Sequence, residues 1–296
     1  MSNAICFDLH SHSTMSDGEL PPRELVRQAA ASGVQVLALT DHDVTDGVAD
    51  AQDEAGLAGI RLVPGVEISV SWADHLVHIV GLGIDTSNSA LQQGLSGLRD
   101  KRMQRAQAIA ERLVKAGIDG AWDGALRYAA GQVVSRNHFA RYLVECGRAR
   151  DTQQAFKRYL SRGKQGYVAM HWATLEQAVG WITGAGGQAV IAHPARYRMS
   201  RTLLKALIED FIAAGGVAIE VLSSSHSPAE ARQIAALARQ TGLLASSGSD
   251  FHGPGAPWAR LGSLPPLSIE CTPVWRDWDL MRDVTALAPP VSIRSA

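Results

Sequence analysis

Apolar, β-prone runs punctuate the chain at residues 5–9, 35–40, 61–70, 75–83, 188–192, 216–222 and 242–247. Most are followed by stretches whose apolar positions recur at helical spacing, over residues 22–32, 174–185, 201–214 and 228–241. Strand and helix in alternation predict a parallel sheet. Seven strands are many for a small open sheet, and polar residues gather where each run gives out. A closed β/α barrel that collects the carboxyl ends of its strands at one mouth accounts for this most simply. The alternation breaks between about residues 99 and 165, where helices are expected over 98–116, 136–146 and 152–160. The expected layout is an α/β chain with a barrel from 5–98 and 166–296, a tail from about 257 packed on it, and a helical insertion over 99–165.

Composition narrows this picture. The 296 residues are 46% hydrophobic, enough for one substantial core. No apolar run is long enough to span a bilayer, and residues 1–20 lack the basic start and apolar stretch of a secretory signal, so a cytoplasmic protein is expected. The three cysteines, Cys6, Cys146 and Cys271, form no CxxC pair, which suits reduced thiols. Charge is unevenly placed. Residues 99–165 hold 15 Lys and Arg against 6 Asp and Glu, whereas the remainder holds 13 against 23. A basic insertion beside an acidic mouth fits a lid over an anionic substrate; for most of its arginines a solvated helical face explains the charge equally well.

The residues at the strand ends carry the chemistry. Six histidines and three carboxylates cluster there: His10, His12, Asp17, His42, Glu67, His78, His193, Asp250 and His252. Imidazole and carboxylate ligate borderline and hard divalent cations, and one ion cannot use nine ligands. Alternate residues of a strand project to the same side, so His10 with His12, and Asp250 with His252, can each aim two ligands at one space. A single such histidine is more readily explained as a buried ring bonded to a carbonyl, but that explanation does not account for the recurrence after successive strands. Bound divalent ions lower the pKa of water to supply hydroxide and can clamp the oxygens of an in-line displacement, as phosphoester hydrolysis requires.

The segments Asp8-Leu9-His10-Ser11-His12, Ser16-Asp17-Gly18, Thr40-Asp41-His42-Asp43, Gly65-Val66-Glu67, His78-Ile79-Val80-Gly81, His193-Pro194 and Gly248-Ser249-Asp250-Phe251-His252 resemble, in order, the motifs of the PHP (polymerase and histidinol phosphatase) family. The resemblance covers residues 5–83 and 188–253. It implies a distorted (β/α)7 barrel with a helical insertion between strands four and five, two or three metal ions, commonly Mn2+ with Zn2+, Fe2+ or Mg2+ as alternatives, and phosphoesterase activity. Carried over to this sequence, His10, His12, Glu67 and Asp250 would hold a first ion. Glu67 would bridge to a second held by His78 and His193, and Asp17, His42 and His252 would hold a third. Asp41 is expected to orient a histidine from behind.

The insertion segments around Ser135-Arg136 and Gly163-Lys164, with His193-Pro194-Ala195-Arg196-Tyr197 and Ser225-His226-Ser227, are similar to the branch containing 3′,5′-nucleoside bisphosphate phosphatases and short-RNA 5′→3′ exonucleases. The implied reaction removes the 3′-phosphate of a nucleoside 3′,5′-bisphosphate and leaves the 5′-monophosphate. Expected substrate contacts are Ser135, Arg136, His138, Lys164, Arg196 and His226; the sequence does not point to the general acid. Competing readings are a 5′→3′ exonuclease on short RNA, a histidinol phosphate phosphatase, and a non-catalytic metal-binding interaction domain. The basic insertion fits poorly with a substrate carrying one phosphate and an ammonium group. Loss of ligands would favour the non-catalytic reading, and none is lost.

Overall fold

The computed structural model describes residues 5–131, 133–255 and 258–279, so the part of the expected tail beyond 279 lies outside the described residues. Seven strands, β1 (Phe7–Asp8), β2 (Val36–Leu39), β3 (Arg61–Trp72), β4 (His75–Leu82), β5 (Gln188–Ile191), β6 (Ala218–Ser223) and β7 (Leu244–Gly248), form one sheet in chain order. Leu9 N–H donates to Ser247 O (2.9 Å) and His12 N–H to Phe251 O (2.9 Å), so β1 meets β7 and the sheet nearly closes into a barrel. The pleat divides the apolar residues of β2 between two cores. Val36 and Ala38 point into the barrel with Leu9, Val63, Val190 and Ala218, while Leu37 and Leu39 point outward against α1 (Pro22–Ala31) and α2 (Val48–Ala58).

The expectation of an all-parallel sheet is corrected at β4, which runs antiparallel to both β3 and β5. Only Ala73 and Asp74 separate β3 from β4, and both take positive φ (43° and 62°), a hairpin that no parallel crossover could make. The reversal also corrects where ligands sit. Glu67 and His78 lie within their strands rather than past the carboxyl ends. β3 overshoots the end of β2, and β4 enters the sheet from the mouth, so its early residue His78 pairs opposite Ser69 on the face that carries Glu67. Helix α2 falls outside the helices expected from sequence.

Between β4 and β5 the chain forms α3 (Ser89–Lys115), α4 (Ala121–Leu126), α5 (Arg136–Glu145), α6 (Thr152–Ala155), a π-helical turn (Phe156–Leu160) and α7 (Leu175–Gly184). Helix α3 is 27 residues long and starts earlier than its apolar pattern indicated. Leu91, Leu95 and Leu98 pack on the barrel, whereas Ile109, Ala110 and Leu113 pack on a separate core with Phe139, Leu143 and Leu160. Position 99 therefore falls inside a continuous helix. At the junction Arg102 is buried, donating to Asp43 Oδ2 (2.6 Å) and Ser69 Oγ (2.7 Å). Arg102→Met would leave the fully buried Asp43 carboxylate without its cation. It should destabilise the fold by about 3–5 kcal/mol, read as a lower urea midpoint.

Helices α8 (Arg201–Ala213) and α9 (Pro228–Thr241) complete the outer layer. Trp275 stacks on Phe7 with ring centroids 4.1 Å apart and Trp278 Nε1 donates to Gln188 Oε1 (2.6 Å), tying residues 275–278 to the barrel, whereas Trp258, at the start of the tail, is 65% exposed.

Candidate metal centre

Glu67 stands at the middle of the mouth. Its Oε1 lies 2.9 Å from His78 Nδ1 and 3.0 Å from His193 Nε2. Its Oε2 lies 2.9 Å from His42 Nδ1, 3.3 Å from His12 Nε2 and 3.4 Å from His10 Nε2. Asp250 Oδ1 closes one side, 3.4 Å from His12 Nε2 and 3.6 Å from His10 Nε2. On the other side His252 Nε2 is 3.3 Å and His42 Nε2 3.9 Å from Asp17 Oδ1. All nine expected residues are thus brought together. Three overlapping groups have ligand atoms within 4.8 Å of one another: His10, His12 and Glu67; His42, Glu67 and His78; and His12, Asp17, His42 and His252. His193 contacts the same Glu67 oxygen as His78, and both His12 and His42 belong to two groups.

The donor set fits cations. Ligand atoms on a shell of about 2.1 Å radius lie roughly 3.0 Å apart in an octahedron and roughly 3.4 Å apart in a tetrahedron. His10 Nε2, His12 Nε2 and Glu67 Oε2 stand 3.1–3.4 Å from one another, within this range, and Asp250 Oδ1 lies 3.4 Å from His12 Nε2 and slightly outside it, at 3.6 Å, from His10 Nε2. Asp17 Oδ1, His42 Nδ1 and Glu67 Oε2 are buried without a hydrogen-bond partner, a costly arrangement unless a cation sits between them. Burial alone would raise the carboxyl pKa values of Glu67, Asp17 and Asp250. The adjoining histidines, with Arg196 at Asp250, outweigh burial and hold all three well below the usual range.

Several residues support the cluster from behind. Glu220, which the sequence reading missed, accepts from His10 Nδ1 at Oε1 (2.9 Å) and from the His193 N–H at Oε2 (2.6 Å), leaving His10 Nε2 with its lone pair toward the cluster. A lone carboxylate in the apolar run of β6 was the available signal. Asp41 is placed to act on a histidine through a hydroxyl rather than by direct contact. It accepts from Ser13 N–H (2.8 Å), Ser13 Oγ (2.6 Å) and Ser16 Oγ (2.6 Å), and reaches His12 only through Ser16, whose Oγ is 3.5 Å from Nδ1. Gly248 allows close approach: a Cβ there would come 2.3 Å from His10 Cβ and 2.8 Å from Glu220 Oε1.

The insertion reaches the cluster through the start of α5. Ser135 Oγ (2.9 Å) and Asn137 Nδ2 (2.7 Å) both donate to Asp17 Oδ2, so Ser135 holds a cluster carboxylate as well as capping the helix. Arg136 has no carboxylate within ion-pair distance among the described residues, and its guanidinium lies over the Phe156 ring (5.5 Å). Arg105 is likewise buried without a carboxylate, donating to Val168 O (3.0 Å) and lying 5.4 Å from the Trp172 ring centroid. Burial, then repulsion from Arg136 and Arg102, pushes the Arg105 pKa down to about 9. Arg196 donates to Asp250 Oδ2 (2.5 Å).

Three expected substrate contacts are used differently. His138 is fully buried, and its Nδ1 accepts from the Ser135 N–H (3.2 Å) in a capping box. His226 Nδ1 bonds Val221 O (3.1 Å) beyond β6, and its Nε2 is buried without a partner. Lys164 lines a groove on the insertion whose walls include none of the nine cluster residues. Burial is the main cause that lowers the His138 pKa to about 4. Since the unfolded chain then binds more protons between pH 6.5 and 4, this histidine stabilises the fold above pH 6.5 and the contribution is lost as pH falls through that window. His138→Gln retains a capping side chain at this position. Between pH 7 and pH 5 it should lose about 2 kcal/mol less stability than the parent, measured by urea unfolding at both pH values.

Relatives place the same architecture in a phosphoester context. The sequence profile of the PHP domain matches residues 8–224. A 3′,5′-nucleoside bisphosphate phosphatase from Chromobacterium violaceum is 52% identical over 91% of this chain and 95% of its own length. The 5′-3′ exoribonuclease Rnm from Escherichia coli is 49% identical over 95% of this chain and 97% of its own. Among solved structures, an amidohydrolase from Chromobacterium violaceum with bound sulfate and no metal superposes with a TM-score of 0.89 at 50% identity, covering 95% of this chain and 96% of that one. Barrel, cluster and relatives agree: the chain belongs to the PHP domain family.

Proposed function

We propose that this protein is a metal-dependent phosphatase that hydrolyses the 3′-phosphate of nucleoside 3′,5′-bisphosphates to give nucleoside 5′-monophosphates. The observation that carries the reading is one carboxylate, Glu67, ringed by five imidazoles at 2.9–3.4 Å. The named activity of the 52% identical relative supports the substrate. His10, His12, Glu67 and Asp250 would hold one ion, Glu67, His78 and His193 a second, and Asp17, His42 and His252 a third, with manganese as the proposed metal and the cytoplasm as the proposed compartment. Such ions supply an activated water and neutralise phosphoryl oxygens.

The chain's own residues have separable tasks in this scheme. Glu220 fixes the His10 tautomer, and Arg196 holds the Asp250 carboxylate in place. Ser135 and Asn137 tie the insertion to Asp17, so substrate binding against the insertion is coupled to the geometry of the cluster. Arg105 and Arg136 supply positive charge with no carboxylate within ion-pair distance among the described residues, which suits an anionic substrate. The insertion, residues 99–165, acts as a basic lid.

The 5′→3′ exonuclease reading has support in the 49% identity to Rnm. Turnover of adenosine 3′,5′-bisphosphate and of a 5′-phosphorylated oligoribonucleotide, compared in matched manganese, tests the proposal. A higher kcat/KM on the bisphosphate is expected. Turnover of the oligonucleotide alone would replace the first reading with the second.

A further inference from the structure

Asp8 is a buried carboxylate outside the nine cluster residues, on the strand that leads into His10 and His12. Among the described residues no arginine or lysine lies within ion-pair distance of it. Phe7 and Leu9 pack into the barrel, so the pleat turns Asp8 outward, toward the turn after β7 and the chain that returns beyond it. A buried carboxylate needs donors, and Asp8 finds two in the backbone. Its Oδ1 accepts from the Ser249 N–H (2.7 Å) and its Oδ2 from the Gly262 N–H (3.3 Å).

The first of these bonds bears on the cluster. Ser249 precedes Asp250, whose backbone lies in the left-handed region (φ 56°), unfavourable for a residue that carries a Cβ. Bonds on either side hold it there. Asp8 fixes the Ser249 N–H, the Asp250 N–H donates to His10 O (2.9 Å), and the His12 N–H donates to Phe251 O (2.9 Å). Phe251 is anchored in the core formed with Leu25, Leu37 and Leu261, while Asp250 on its other side turns Oδ1 toward His12 Nε2 (3.4 Å). Of the three bonds only the one to Asp8 uses a side chain, so it is the one that a substitution removes.

We propose that Asp8 is a positioning residue that presents Asp250 to the first ion by holding the Ser249 N–H. The inference rests on the metal-centre reading for the role of Asp250 and adds a residue that acts on the ion only through the backbone. The choice of a carboxylate follows from the two arms: two N–H groups need two acceptor oxygens, and an amide side chain offers one.

The test begins with metal-free protein. Hydrogen exchange in peptides covering residues 245–253 should quicken by about fivefold or more in Asp8→Ala, while peptides from α8 and α9 keep parental rates. In manganese-loaded protein titrated with a chelator, one ion per chain should be lost at an affinity about 10–100-fold weaker than in the parent, and turnover of adenosine 3′,5′-bisphosphate should fall mainly in kcat. Asp8→Asn keeps one uncharged acceptor and should lie between parent and Asp8→Ala in both readouts. Gly262→Ala serves as the structural control. Its φ of 67° and a Cβ that would come 2.8 Å from Ser32 O disturb the other arm, so it should lower the melting temperature and leave metal affinity at the parental value. Parental exchange and metal affinity in Asp8→Ala overturn the proposal, as does metal loss that tracks melting temperature equally in Asp8→Ala and Gly262→Ala. If Asp8→Ala does not fold, parental exchange and affinity in Asp8→Asn overturn it. A parent that takes up no divalent ion removes the metal-centre reading and this inference with it, whereas a parent that binds ions and fails to turn over the bisphosphate removes only the substrate.

Discussion

Replacing Glu67 with Gln is expected to lower kcat/KM on adenosine 3′,5′-bisphosphate by at least about 10³-fold, roughly 4 kcal/mol of transition-state stabilisation. The side chain keeps its shape, so the loss isolates its charge. Five imidazoles converge on this carboxylate, and the neutral amide cannot offset the cations that two of the three ligand groups would hold. Metal content per chain, read by elemental mass spectrometry, should fall together with activity. Glu220→Gln provides a graded comparison, because it leaves every cluster residue in place and disturbs only the support behind His10 and the His193 backbone, and it should cost about 10–100-fold. A Glu67→Gln protein with parental turnover at saturating manganese would end the metal-centre reading.

Arg105→Met should raise KM for the bisphosphate by about 10–100-fold, the worth of one or two charge-assisted hydrogen bonds, with a smaller change in kcat. The reason is an imbalance within one helix. Arg102 and Arg105 are both buried and share the Trp172 ring, but among the described residues only Arg102 has a carboxylate partner. A buried guanidinium that the protein does not neutralise costs stability and is relieved by an anion from outside. Stability should therefore move in opposite directions in the two variants. Arg102→Met is expected to lower the melting temperature, whereas Arg105→Met should leave it unchanged or raise it. If Arg105→Met lowered stability as much as Arg102→Met and left KM at the parental value, the arginine would belong to the scaffold and not to substrate binding.

The sequence was most informative where chemistry is carried by residue type at fixed spacing. Imidazoles and carboxylates at the ends of apolar runs are costly to bury without a partner, so their recurrence alone pointed to a shared cation site, and all nine were brought together. Substrate contacts were less legible. Ser135 and His138 were expected at the substrate, but helix α5 uses both to cap its own N-terminus, a need that arises only once the helix forms. Lys164 lies two positions from Arg162 in a basic segment, and nothing local indicates which wall of the insertion it faces. Arg105 looked like one of many helix-surface charges; the core formed by Leu113, Phe139 and Leu160 turned that face of α3 inward.

The sequence by itself determined the seven strands, the placement of the insertion between the fourth and fifth, and the ligand chemistry, because pleat period, helical period and donor type are local properties. Only the tertiary structure decided that β4 runs against its neighbours, that Glu67 is the common neighbour of five histidines, and that Glu220 and Arg105 face the interior. Those outcomes depend on hairpin geometry and on which residues distant in the chain share a buried space, and a one-dimensional pattern does not encode such pairings.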